Sequence, residues 1–186
     1  MPSGRRPPGE DGTIFPRTLD AQKKHPGHQK TSAARSLLAA FAVAALVLAL
    51  DQTVKSIVRG SMRLGESLVA IPGVLDITYI ENSGGAFGIL AGRSVLLVAG
   101  SAVAVGFVLW ILFSLGPSKS VTLGCGLVLG GAAGNLADRL LRGEVTDYLD
   151  LRFWPLEHWP VFNLADTAIV VGAFLLLIAS SRKERA

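Results

Sequence analysis

The chain has 186 residues, of which 50% are hydrophobic and 17% charged, and its formal net charge is +4. Soluble domains carry about 25% charged residues, so this composition, with a mean hydropathy of +0.47, excludes an ordinary water-soluble domain. The basic excess lies largely in the tails (Arg5, Arg6, Arg17, Lys23, Lys24, Lys30 and Arg35; Arg182, Lys183 and Arg185) and needs no nucleic acid to explain it. The one cysteine, Cys125, excludes an intrachain disulfide and a cysteine-based zinc site.

Residues 1–34, rich in Pro, Gly, Lys and His, predict a disordered basic cytoplasmic tail. Uncharged windows follow at Ser36–Leu50, Ser94–Leu115, Ser120–Ala137 and Thr167–Ser181. Crossing a hydrocarbon core takes about 20 mostly apolar residues. The second window meets that alone and the others meet it with their flanks, so four transmembrane helices are expected, the first from about Ala33. The long polar leader, with no A-x-A site after the first apolar run, argues for a retained helix over a removable signal peptide. An even number of crossings puts both termini on one side. The tails and Lys119 outnumber the basic residues opposite (Lys55, Arg59, Arg63, Arg93, Arg139, Arg142 and Arg152), which places the termini in the cytoplasm.

The first helix ends in LALDQTVKSIVRG, where Asp51 and Lys55 share a face and can pair at the interface. Beyond it, Leu75, Ile77 and Tyr79 alternate with Asp76 and Thr78, a strand period, between turns at Pro72–Gly73 and Ser83–Gly84–Gly85. This predicts a small β element resting on the outer surface. The segment YIENSGGAFG then re-enters the membrane through small residues, with Asn82 its strong polar group. The second helix has no ionisable group, ends at Leu115–Gly116–Pro117, and turns through GPSKS into the third. There Gly126, Gly130 and Gly134 form a small-residue stripe for close helix packing, and Cys125 is a packing residue. The third helix turns polar at its outer end, at Asn135, Asp138 and Arg139. The tract GEVTDYLDLRFWPLEHWP reads as a loop with acids Asp147 and Asp150 and interfacial aromatics Tyr148, Phe153, Trp154 and Trp159. The fourth helix starts near Phe162, with Asn163 suited to its N-cap and Asp166 about 7–8 Å in from Val161. The expected fold is an α-helical membrane protein, a four-transmembrane-helix bundle over residues 35–182 with an extracytoplasmic β element between helices 1 and 2, and a short basic cytoplasmic tail at 183–186.

A charged carboxylate at bilayer depth costs about 2.5–3.5 kcal/mol, so Asp166 must be either compensated or used. The polar ends of the helices all fall on the non-cytoplasmic side. His25, His28 and His158 do not suit a Ser/His/Asp triad, and no G-x-S-x-G or H-E-x-x-H occurs. Cys125 lies too deep in its helix for Cys/His chemistry. Two carboxylates remain. Facing each other, they share one proton, so the ionised member can activate water while the protonated member polarises a carbonyl. Asp166 qualifies by position, and spacing leaves its partner open among Asp138, Asp147 and Asp150.

The motifs DQTVK, YIENSGGAF, GGAAGNLADR with GEVTDY, and FNLAD resemble, in order and at fitting intervals, those of bacterial lipoprotein signal peptidases (signal peptidase II). The resemblance spans about residues 35–182. It implies an intramembrane aspartyl endopeptidase that removes the signal peptide of a prolipoprotein just before its diacylglyceryl-modified cysteine. It also implies that Asp147 and Asp166 are the catalytic pair. Asp138 and Arg139 would support the site, with Arg139 close to substrate. Asn82, Asn135 and Asn163 would bind the substrate backbone or orient the carboxylates, and Asp51 with Lys55 would be a structural pair in the same layer. Asp150 keeps the simpler reading of a surface carboxylate. The expected setting is the bacterial cytoplasmic (inner) membrane, with prolipoprotein and membrane lipid as partners, the chain monomeric, and no metal, cofactor or nucleic acid. Two other readings compete. DRLLRGEVTDYLD faintly resembles the Mg²⁺-binding signature of CDP-alcohol phosphotransferases, but Asp150 comes one residue early and the upstream D-G-x₂-A-R is missing. A small carrier or assembly factor would place its polar groups near the midplane.

Overall fold

The computed structural model describes residues 26–83, 94–114 and 118–183. The greater part of the N-terminal tail, the re-entrant stretch after Ser83, the Leu115–Gly116–Pro117 helix end and the last three residues lie outside the described residues.

Helix α1 runs Pro26–Ser61, starting upstream of the expected Ala33 and taking in the end of the segment read as tail. Proline suits a first helical position, where its missing N–H is not needed. At 1.5 Å per residue the helix is about 54 Å long, more than a ~30 Å hydrocarbon core requires. Its last turns, with Asp51, Lys55 and Arg59, therefore have length to spare beyond the apolar stretch. Helix α2 covers Ser94–Ser114. Helix α3, Lys119–Arg142, is capped at both ends. Ser118 Oγ accepts from Val121 N at 3.2 Å, and Gly143 (φ 85°) closes the other end with its N–H on Arg139 O. Helix α4 covers Leu164–Lys183. By length and composition α1, α3 and α4 can each cross a membrane, and α2 is apolar over Val98–Ser114.

Helix α3 is central, packed against α1, α2 and α4. Its glycines explain how. A Cβ on Gly130 would meet Ala44 O of α1 at 2.6 Å, and one on Gly134 would meet Asp51 Oδ2 at 2.5 Å. The expected stripe thus faces α1 and lets the backbones touch. Toward α4 the close approach is mutual, because a Cβ on Gly172 would lie 2.7 Å from Gly124 O. Cys125 is fully buried in the cluster that joins Ala40, Val108, Leu112, Val121 and Leu129.

The β element has three strands, one more than the tract between the first two helices supplies. β2 (Leu75–Asn82) contains the expected strand, and β1 (Ser67–Ile71), not expected from the sequence, joins it in a hairpin with Gly73 at φ 72° in the turn. The third strand, β3 (Val145–Leu151), lies in the tract read as a loop and pairs antiparallel with β2. Its first four residues are all buried, so it shows no one-sided alternation, and its two acids gave it the look of a surface loop. Asp150 is correspondingly not a surface carboxylate. It is 7% exposed, accepts from Thr78 Oγ1 at 2.8 Å, and pairs with Arg152 Nη2 at 3.0 Å. Tyr148, read as an interfacial aromatic, is also buried, packing with Val58 and Tyr79 where α1 meets the sheet.

Overpacking a tight contact costs about 1–3 kcal/mol. Gly172→Ala, which meets backbone at the α3–α4 crossing, should lower the thermal unfolding temperature in detergent by several degrees. Gly106→Ala, with open space around it, should not. Equal behaviour of the two variants would refute the backbone-contact reading.

Candidate active site

The site is organised by the start of α4. A helix N-terminus leaves four N–H groups without intrahelical partners, and burial here requires each to find an acceptor. Leu164 N donates to Tyr148 Oη at 3.2 Å, Ala165 N to Asp51 Oδ1 at 3.1 Å and Asp166 N to Asn163 Oδ1 at 2.9 Å, while Thr167 N makes the first ordinary helix bond, to Asn163 O at 3.2 Å. In return Asn163 N donates to Asp166 Oδ2 at 3.3 Å. FNLAD is therefore a reciprocal capping box, with Asn163 at the cap and Asp166 three residues on.

The Asn163 side chain also faces outward from the box. Its Nδ2 donates to Asp147 Oδ1 at 2.6 Å, so the acid of β3 and the acid of α4 are both bonded to this one residue. Asn82 Nδ2 takes the other oxygen of Asp147 at 2.9 Å, and Asn135 Nδ2 takes Asp166 Oδ1 at 2.7 Å. All four carboxyl oxygens thus accept an N–H. Asp147 is only 2% exposed. Burial pushes its pKa up to about 6, and the charge of Asp166 adds to the rise against the pull of the Asn82 and Asn163 hydrogen bonds. β3 is pinned beside α4 by paired backbone bonds between Leu149 and Phe162.

Behind the acids lies an ion cluster. Lys55 Nζ, fully buried, contacts Asp51 Oδ2 at 2.9 Å, Asp138 Oδ2 at 2.8 Å and Asn135 Oδ1 at 2.9 Å. Arg59 Nη1 approaches Asp138 at 3.8 Å and donates to Thr146 Oγ1 at 2.9 Å. The Asp51–Lys55 pair is therefore no exposed interfacial anchor but part of a buried layer joining α1, α3 and α4.

In front of the acids a cavity of about 410 Å³ opens. Asn82, Asn135, Arg139, Asp147, Asp166 and Thr167 form its polar side, and residues of the 159–162 turn and of α4 form its apolar side. Arg139 donates to Asn135 O at 3.3 Å, and among the described residues its buried Nε meets no acceptor. Of the residues named from sequence, Asp147, Asp166, Asn82, Asn135 and Arg139 reach this cavity. Asn163 lies directly behind the acids, and Asp51, Lys55 and Asp138 form the layer beneath. Sequence reasoning missed Tyr148, Gln52 and Thr146. Gln52 Nε2 bridges Asp51, Asp138 and Gly134 O. Nothing in the local sequence marks a neutral side chain as a strut. Only the adjacency of Tyr148 to Asp147 hinted at its place.

Two acids, Asp147 buried and Asp166 half-buried, both bonded to Asn163 beside one cavity, can hold one proton between them and activate water against a carbonyl. Fold and site together define a membrane-embedded aspartic endopeptidase. The profile of the Peptidase_A8 family, signal peptidase (SPase) II, matches residues 43–182. The chain is 43% identical to the lipoprotein signal peptidase of Halothermothrix orenii over 145 residues, covering 78% of this chain and 97% of that one. It is 48% identical to the lipoprotein signal peptidase of Pelotomaculum thermopropionicum over 153 residues, with the same coverage. A bacterial membrane enzyme solved by the in meso method at 2.3 Å resolution superposes with a TM-score of 0.72 at 29% identity, over 78% of this chain and 88% of that one. The chain belongs to the signal peptidase II family, aspartic proteases that remove signal peptides from prolipoproteins.

The raised pKa of Asp147 has a sign that can be tested. An ordinary aspartate loses its proton near pH 4, whereas Asp147 holds its proton to about pH 6. The singly protonated state of the free enzyme should therefore persist to about pH 6, and kcat/KM should fall as pH rises beyond it. A profile flat from pH 5 to 8 would exclude Asp147 as a proton carrier.

Proposed function

We propose that Asp147 and Asp166 are the catalytic dyad, acting at the outer face of the bacterial cytoplasmic membrane on prolipoproteins whose cysteine carries a diacylglyceryl group. The observation that carries the reading is the attachment of both carboxyls to Asn163 in front of one cavity. Every carboxyl oxygen already accepts an amide N–H, so the shared proton has its acceptors in the other carboxylate and in what enters the cavity. The ionised member takes a proton from water, and the hydroxide attacks the scissile carbonyl. The protonated member donates to the carbonyl oxygen, and the tetrahedral intermediate collapses as the departing amine takes up a proton. The Arg139 Nε, buried at the cavity wall, is a ready donor to a substrate carbonyl.

Four crossings with both termini in the cytoplasm would follow from the four helices and the basic tails. The three-stranded sheet would then lie on the outer surface. On the apolar side of the cavity Val170 is 67% exposed, so acyl chains could lie along α4 and continue into lipid. Neither competing reading gains support. Asp150, which a phosphotransferase would need beside Asp147, is engaged with Thr78 and Arg152. The polar layer lies toward one end of the bundle, where a midplane carrier site would not be.

Asp147→Asn and Asp166→Asn should each lower cleavage of a lipidated precursor by about a thousandfold or more, with normal insertion and accumulation. Full cleavage by either variant, read as a gel shift, would reject the dyad. Each buried methylene is worth about 0.8 kcal/mol, so an unlipidated precursor should show a kcat/KM at least about a hundredfold lower. Equal turnover of the two precursors would reject acyl recognition.

A further inference from the structure

Of the three asparagines that hold the dyad, Asn135 and Asn163 also touch other polar groups, and neither is self-evidently oriented. An amide can present its oxygen or its NH₂ to a carboxylate, and only one choice holds an anion. Asn163 is settled locally, because the Asp166 backbone N–H can only donate and so claims Oδ1. Asn135 has no such backbone partner. Its Oδ1 faces Lys55 Nζ at 2.9 Å and Asn163 Nδ2 at 3.2 Å, both donors, which leaves Nδ2 for Asp166.

We infer that Lys55 is a positioning residue for the dyad: its ammonium, acting through Asn135, sets the direction of the hydrogen bond that Asn135 gives Asp166. This rests on the dyad reading above. An ammonium has donors and no acceptor, so it cannot tolerate an inverted Asn135. The same Oδ1 also anchors the Asn163 amide whose other contact is Asp147. Lys55 touches no part of the cavity wall, so its contacts reach the acids through these amides, while its charge also pulls the Asp147 pKa down from a distance. Asp51 and Asp138 hold the ammonium in place from α1 and α3, and Arg59 lies against Asp138. Removing the lysine leaves Asn135 Oδ1 held only by the longer Asn163 bond at 3.2 Å, so the amide can turn its oxygen toward Asp166, where two acceptors would repel.

Lys55→Met alone strands buried carboxylates and endangers folding. The test therefore pairs it with Asp51→Asn, which removes both charges and keeps an oxygen for the Ala165 N–H. The pair is measured in the wild-type and Asn135→Ala backgrounds with a lipidated precursor, as kcat and KM per folded enzyme. In the wild-type background kcat should fall about tenfold or more with KM within about threefold. In the Asn135→Ala background the same pair should cost less than about threefold further, because the route through Asn135 is already gone. Equal losses in both backgrounds would overturn the inference. So would a kcat within about twofold of wild type, or a paired variant that fails to accumulate folded, which would assign Lys55 to the fold alone. Asp147→Asn and Asp166→Asn run alongside. Their retention of activity would fault the dyad, whereas their inactivity with an additive cycle would fault only Lys55.

Discussion

Burying the first turn of α4 is the constraint on which the rest of the site depends. Its backbone N–H groups have no partners within the helix, and each would cost about 1–3 kcal/mol if buried unmet. Asn163 and Asp166 each meet one of the other's, Asp51 of α1 meets a third, and Tyr148 of β3 meets the fourth. Two distant segments, α1 and β3, are thereby drawn to one helix end. The acid three residues past the cap arrives in a fixed position, facing the acid next to Tyr148. The geometry of the proposed dyad is largely what it takes to cap this helix.

Charge is arranged in two layers with different purposes. In the lower layer Lys55 and Arg59 offset Asp51 and Asp138, so the buried charges cancel. Such a cluster contributes little net stability over an apolar replacement, but it fixes register between helices. In the upper layer two acids face a cavity with amides as their immediate donors and Arg139 nearby. Amides hold a carboxylate without a counter-charge. The effect of burial on Asp147 therefore outweighs the downward pull of its hydrogen bonds, and the acid retains its proton to about pH 6. A lysine in direct contact with the acids would have abolished that.

The glycines of α3 make the lower layer possible. Gly134 leaves room for the Asp51 carboxylate against the helix backbone, and Gly124 with Gly172 draws α4 close. At these distances the side chains of Asp51, Asn135 and Asp138 can span from one helix to the next. The family relationship assigns the removal of prolipoprotein signal peptides to this scaffold, whose cavity opens on an apolar flank along α4.

Much of this could be read from the chain alone. Apolar windows and glycine spacing announce the helices because hydrophobicity and close packing are local properties of a segment. Asp166 stood out because a carboxylate in an apolar run has a cost that needs a reason, and FNLAD carries its own cap. The chain could not by itself make a strand of β3, whose residues are buried on both faces and so lack alternation. Nor could it bury Asp150, make a strut of Tyr148, or turn the Asp51–Lys55 pair inward onto α3. Those outcomes belong to the tertiary structure, because each depends on a partner from a distant segment: β2 for β3, Arg152 and Thr78 for Asp150, the start of α4 for Tyr148, and Asp138 with Asn135 for Lys55. A polar side chain's role is set by which donor or acceptor it meets, and in this protein that is decided only when the helices pack.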